Sequence, residues 1–441
     1  MGDLTDYEAI YRKRSPRSRE AYERARKVLP GGVCHAIRHF PPYPFFVTSA
    51  KGTQIEDVDG NRYVDYWMGH CALLLGHGHP RVLEALRSQM EDGLHWGIVN
   101  PWQVELAEAV VRMVPCAEEV RFCNTGAEAT SYAVRLARGA TGRSTVLKAE
   151  GGWHGYCTDL LKAVHFPVER PESQGLPASL DRDVSTFPFN DIEGATAAIR
   201  EAEDLAAVIV EPVLGAGGAI PAEPAFLRAL QEETRERDAL LIFDEVITGF
   251  RLAPGGGQEH YGIVPDLVTL GKILGGGLPV GAVAGRRDLL ELTRPGGRVA
   301  IGGGTFSCNP MTMRAGLATL TYAEDHPGLY EHIDRLGERV RRSGEAALVD
   351  AGIEAVATGV GSLFQFHFLE EEGVEIRSAA DVYAHTDRAR GEEEFKLRLA
   401  NEGVYTMHGG GCISLPHTDE EVRGFAEALQ VVAGAMAEAT A

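Results

Sequence analysis

No stretch of this 441-residue chain approaches the roughly 20 uninterrupted apolar residues that a membrane-spanning helix needs, so a membrane protein is not expected. Cysteine is sparse. There are seven, and no two stand in C-x-x-C spacing. That pattern supports neither a disulfide framework nor a zinc site, and the expected setting is a reducing one, the cytoplasm. Positive charge is also short. Lys and Arg number 43 against 63 Asp and Glu, a net charge of −20. Such a surface repels phosphate backbones, so nucleic acid is not an expected partner. One local exception exists, where Arg12, Lys13, Arg14, Arg17, Arg19, Arg24, Arg26 and Lys27 crowd together. A nucleic-acid arm would use them, but Glu20 and Glu23 are interleaved, and a solvated amphipathic helix fits better. Asp3, Asp6 and Glu8 speak against a transit peptide.

What is present is an ordinary globular balance, 44% hydrophobic and 24% charged, in a chain too long for one core. A helix is expected over about Ser18–Leu29, stopped by Pro30-Gly31-Gly32. Residues Ile55–Val64 read as a hairpin around Asp57-Val58-Asp59-Gly60-Asn61. That string resembles a calcium loop, but its glycine is misplaced and Met68 stands where Glu should close it, so no metal is expected. Further on, short apolar runs alternate with helical segments: Val120–Phe122, Thr145–Leu147, Ala206–Val210, Leu240–Phe243, Leu267–Leu270 and Val280–Ala284. Runs that are apolar throughout suit strands buried on both faces of a mostly parallel sheet covered by helices. The last part reads as a smaller α+β domain, with a helix Tyr330–Asp350, strands within Ser362–Phe368 and a final helix Asp419–Ala437. The expected division is an N-terminal segment 1–69, a large domain 70–327 and a small domain 328–441.

In a parallel α/β sheet, ligands bind beyond the carboxyl ends of the strands. Four strand ends carry chemistry. Asn124-Thr125-Gly126-Ala127 opens a helix and offers free N–H groups, as a phosphate site or as a plain cap. It matches neither a Walker loop nor G-x-G-x-x-G. Gly151-Gly152-Trp153-His154-Gly155 places an aromatic where it can stack on a flat ligand or simply pack. Asp244-Glu245 puts carboxylates after a buried strand, where a salt bridge, a metal or a pyridinium nitrogen would serve as partner. Gly271-Lys272 puts a lysine at another strand end, either nucleophilic through lost solvation or snorkelling to water. Together they form the set that pyridoxal 5′-phosphate requires: phosphate cradle, stacking face, carboxylate for the ring nitrogen and Schiff-base lysine.

On these residues the chain resembles class III, fold-type I aminotransferases, in the branch of glutamate-1-semialdehyde 2,1-aminomutase and β-amino acid aminotransferases. Leu240–Val246 and Thr269–Gly277 carry the family's pattern nearly letter for letter. The resemblance implies a pyridoxal-phosphate transaminase built as a homodimer with shared active sites. In it Lys272 is the Schiff-base lysine and proton carrier, and Asp244 pairs with the ring nitrogen. Val246 and Trp153 pack on the two ring faces, with His154 beside the aromatic. Thr125, Gly126 and Ala127 hold the phosphate, and Glu211 lies near the phenolic side. Gly304-Thr305 resembles the segment that reaches the phosphate from the neighbouring subunit. Arg38 is the implied site for the substrate carboxylate, with His408 nearby in place of a second arginine.

The chain departs from the aminomutase pattern at three places. Ala216 stands where aminomutases carry Asn, His408-Gly409-Gly410-Gly411 replaces P-S-x-F-E, and His35-Ala36-Ile37-Arg38 replaces S-P-V-R. Gly215–Pro221, Gly304-Thr305-Phe306 and Ser414-Leu415-Pro416 resemble the β-amino acid aminotransferases better. The expected reaction is therefore amino transfer from an amino acid, β-amino acids included, or an amine to a keto acid. The intramolecular aminomutase reaction is the alternative. A non-catalytic cofactor-sensing regulator is disfavoured because the N-terminal extension is too short for a DNA-binding domain.

Overall fold

The computed structural model describes residues 5–438, so the outermost positions of the expected first and last segments lie outside it. Its centre is a seven-stranded sheet. From one edge to the other the strands run Glu119–Cys123, Gly281–Gly285, Leu267–Gly271, Leu240–Asp244, Leu205–Val210, Thr145–Ala149 and Val184–Phe187. The pairings from Leu267–Gly271 to Val184–Phe187 are parallel. Gly281–Gly285 alone runs against both its neighbours. Every residue of Leu205–Val210, Leu240–Asp244 and Leu267–Gly271 is buried, as the unbroken apolar runs require.

All six expected strands exist, and a seventh, Val184–Phe187, lies at the edge. It buries Val184 and Phe187 but exposes Ser185, so it lacks the continuous apolar signature. The N-terminal expectation needs correction. In place of one helix over Ser18–Leu29 there are two, Asp6–Arg14 and Pro16–Ala25. Pro16 begins the second because its missing N–H costs nothing at a first helical position. The second ends early, its last turn tightening as Lys27 and Val28 donate to Arg24 O and Ala25 O.

The hairpin pairs Gln54–Asp57 with Arg62–Asp65. Its turn is closed by Asp57, which accepts N–H groups of Asp59 and Asn61, the Asn61 amide and the Tyr63 hydroxyl. Those four bonds fill the carboxylate, which explains the calcium-like string without a cation. The second strand continues into a parallel pairing with Val404–Tyr405 from the far end of the chain. The C-terminal part carries the helix Gly328–Asp350, a three-stranded antiparallel sheet of Ala355–Thr358, Leu363–Phe368 and Gly410–Cys412, and the helix Asp419–Glu438. No helix among the described residues is long and apolar enough to cross a membrane.

Arg251 fastens these parts together. It is fully buried, donating Nη2 to Cys71 O at 3.0 Å and Nη1 to Ile413 O at 2.7 Å. Arg251→Met leaves two buried carbonyls unpaired, at roughly 1–3 kcal/mol each. Urea unfolding of this variant is expected to show lower stability by that order, and an unchanged midpoint would contradict the assignment.

Candidate active site

Asp244 ends a buried strand and is itself only 4% exposed. A carboxylate survives there only with partners. Oδ1 accepts the Thr269 hydroxyl at 2.9 Å and the Val246 N–H at 3.1 Å. Oδ2 lies 2.7 Å from His154 Nδ1. A carboxylate only accepts, so Nδ1 carries the proton. Burial pulls the His154 pKa down and Asp244 opposes this, leaving the ring neutral. His154 Nε2 is buried with no partner. Three donors fill three of the about four acceptor positions on Asp244, and one stays free for a ring N–H.

Lys272 follows the next strand, at φ 45°. A left-handed lysine is uncommon and is held here by the turn Lys272–Gly275 and by Gly276, where any Cβ would overlap Ala315 O. The amine makes no hydrogen bond among the described residues. Burial lowers its pKa, against the opposing charges of Cys71, Asp244 and Glu211, so the amine gives up its proton more readily than a free lysine.

The phosphate turn is a capping box. Thr125 Oγ1 accepts from Glu128 N at 3.1 Å, and Glu128 Oε2 accepts from Thr125 N at 3.0 Å and Asn124 N at 2.7 Å. The N–H groups of Gly126 and Ala127 find no partner among the described residues and face outward at the positive end of a 16-residue helix. Two close approaches join this turn to its surroundings. A Cβ on Gly126 would stand 3.0 Å from the Val246 methyls, and one on Gly155 would stand 2.5 Å from the Ala127 Cβ. Val246 also lies 3.3 Å from where a Cβ on Gly271 would be, so it touches both the phosphate turn and the lysine strand. Trp153 is half-buried and braced edge-on by Tyr156, ring centroids 4.7 Å apart. The Trp153 main-chain N–H donates to Glu211 Oε1 at 2.7 Å, while Gly215 N donates to Oε2 at 3.0 Å. Burial and the Asp244 charge push the Glu211 pKa up to about 8, against the pull of those two N–H groups.

The structure thus gathers Lys272, Asp244, His154, Trp153, Val246, Glu211, Thr125, Gly126 and Ala127 at the strand ends. Outward N–H groups, an orphaned buried imidazole nitrogen, a carboxylate with one free acceptor position and a desolvated amine are the donor set that pyridoxal 5′-phosphate fits. Arg38 and His408 both lie within electrostatic reach of His70, which lies near Lys272. Arg38 is exposed in the turn Ala36–Arg38 and forms no ion pair among the described residues. His408, at φ 53°, approaches Glu392 Oε1 at 3.6 Å and holds that carboxyl below its usual range. Gly304-Thr305 is exposed, and its segment rests on the same chain's phosphate turn through Asn124 Nδ2 to Gly303 O, 3.0 Å. Sequence reading does not single out Thr269, although its side chain bonds Asp244. Nor does it single out Glu128, although the T-x-x-E spacing of a capping box was there to find it.

The geometry defines a pyridoxal-phosphate enzyme of fold type I. The chain belongs to the family Aminotransferase class-III, whose model matches residues 36–430. It is 43% identical, over 94% of its length and 98% of the relative's, to glutamate-1-semialdehyde 2,1-aminomutase of Methanothermobacter thermautotrophicus. Among solved structures it is similar to an omega-transaminase from Sphaerobacter thermophilus, with TM-score 0.89, 34% identity, and 97% and 99% of the two chains covered. It is also similar to a β-phenylalanine aminotransferase from Variovorax paradoxus, with TM-score 0.88, 33% identity, and 98% and 97% covered.

Lys272→Ala is expected to abolish borohydride-stable attachment of the cofactor, read by mass spectrometry. Asp244→Asn keeps the shape but loses the charge, and kcat should drop by about 100-fold. For Glu211 the folded pKa lies above the free value, so the folded state holds a proton the unfolded chain has released. Its contribution to stability is full below the unfolded pKa of 4.5 and falls as pH rises towards about 8. In cofactor-free protein, Glu211→Gln should therefore gain stability relative to the parent across that range; a parallel pH dependence of the two would refute the shift.

Proposed function

We propose that the chain transfers an amino group between two molecules, one of them a small amino acid with a single carboxylate, β-amino acids included. The observation that carries this reading is Arg38, a guanidinium without an acidic partner among the described residues of a strongly acidic protein, near His70, which in turn lies near Lys272. A carboxylate pairs with it bidentately. Bound pyridoxal phosphate supplies an electron sink for the substrate carbon that bears the amino group. Lys272 Nζ carries the proton released at that carbon, Asp244 keeps the ring nitrogen protonated, and His154 holds Asp244 in place. Exchange between two molecules is supported by Ala216 and His408, which put no aminomutase-like Asn or Glu into the pocket, and by the 34% identity to an omega-transaminase.

The second reading is the intramolecular aminomutase, favoured by the 43% identity to the archaeal enzyme of that name. The two readings separate in one assay. With glutamate 1-semialdehyde and no acceptor, 5-aminolevulinate formed at a good rate would establish the aminomutase. Bleaching of the lysine-bound cofactor by amino acids, reversed by keto acids, supports transfer between molecules. Arg38→Ala is expected to raise KM for amino monocarboxylates by about 10- to 100-fold.

The reading includes a homodimer. Leu94 (58% exposed), Ile98 (73%), Val99 (76%) and Phe306 (64%) form an apolar set beside Gly304-Thr305, joined by the His95–Phe306 ring contact. Such exposure suits burial against a second copy, which would carry Thr305 to the other phosphate turn. Sedimentation of Val99→Asp with Phe306→Asp should show monomers where the parent is dimeric.

A further inference from the structure

Residues Met68, Gly69, His70 and Cys71 have φ values of 47°, 60°, 64° and 59°. Three of the four are not glycine, and a side chain there strains a left-handed backbone. The strain is held from both sides. Asp65 Oδ1 accepts the N–H groups of Trp67 at 2.8 Å and Met68 at 3.0 Å, and Arg251 grips Cys71 O. The outcome is the placement of one side chain. The His70 ring lies over His35, centroids 5.5 Å apart and planes 17° from parallel, and leans on Trp67 at 4.9 Å. It stands within electrostatic reach of Lys272, Arg38, His35 and His408, and its turn packs on the Lys272–Gly275 turn.

Neither His35 nor His70 makes a ring hydrogen bond among the described residues. Burial, then Lys272 and Arg38, push His70 down to about 4, and burial with Arg38 lowers His35. Both rings are therefore neutral near pH 7. A neutral imidazole offers one N–H and one lone pair, so where Arg38 takes the carboxylate the ring can still donate to, or accept from, a hydroxyl or carbonyl.

We propose that His70 is a specificity-determining residue that hydrogen-bonds a hydroxyl or carbonyl substituent on a substrate whose carboxylate meets Arg38 and whose amine meets Lys272. The inference rests on the proposed amino transfer and narrows its substrate class to hydroxy- or oxo-substituted amino monocarboxylates. A site that leaves a buried polar group unmet by an alkyl analogue discriminates against that analogue.

The test uses holoenzyme and two matched donor pairs, homoserine against 2-aminobutyrate and 3-amino-4-hydroxybutyrate against 3-aminobutyrate. The rate of bleaching of the bound cofactor gives kcat/KM for each. The parent is expected to favour the hydroxylated member of at least one pair by about tenfold or more. In His70→Phe, which keeps a flat ring over His35, the ratio should fall to near one. His70→Asn, which restores a donor and an acceptor, should recover part of it, and it serves as the test variant if the Phe protein does not fold. Equal rates within both pairs for the parent, or a ratio unchanged in the variants, overturns the role of His70 and leaves amino transfer standing. No bleaching by any of the four donors overturns both.

Discussion

A single buried carboxylate organises the catalytic centre. Asp244 closes a strand on which every residue is buried, and three donors converge on it from three places. Val246 N comes from its own chain two residues on, Thr269 from the adjoining strand, and His154 from the loop beyond Thr145–Ala149. Each donor fixes the element it comes from. The His154 loop thereby settles on the phosphate turn, since Gly155 lies against Ala127. Val246 in turn fills the space between Gly126 and Gly271. Satisfying one costly charge thus sets the distances among cradle, stacking face and lysine strand.

Much of this was legible because the chemistry of a parallel sheet concentrates at strand ends. Runs such as Leu205–Val210 announce themselves as strands, and whatever follows them faces the ligand. The edge strand Val184–Phe187 escaped notice because one-sided burial breaks the apolar run. The reversed direction of Gly281–Gly285 leaves no trace in composition, since its flanking glycines and alanines would suit either sense. Thr269 was hidden for another reason. A threonine inside a strand looks like ordinary β-propensity until its register opposite Asp244 is seen. The left-handed run at Met68–Cys71 carries a single glycine, too little to betray four residues of unusual backbone.

Proteins named for different reactions share this fold almost equally. The cradle, carboxylate and lysine sit on the sheet, where packing fixes them. His35, Arg38, His70 and His408 come from turns outside it. An identity of 43% over nearly the whole chain therefore does not by itself fix the reaction.

The pairing of Arg62–Asp65 with Val404–Tyr405 has a mechanical consequence. Val64 N donates to Gly403 O at 2.8 Å and Tyr66 N to Tyr405 O at 2.9 Å. One splice of main chain therefore runs from the stretch that precedes His70 into the stretch that leads to His408. Neither stretch can drift from the other without breaking those sheet bonds, so His70 and His408 are tied through one piece of sheet.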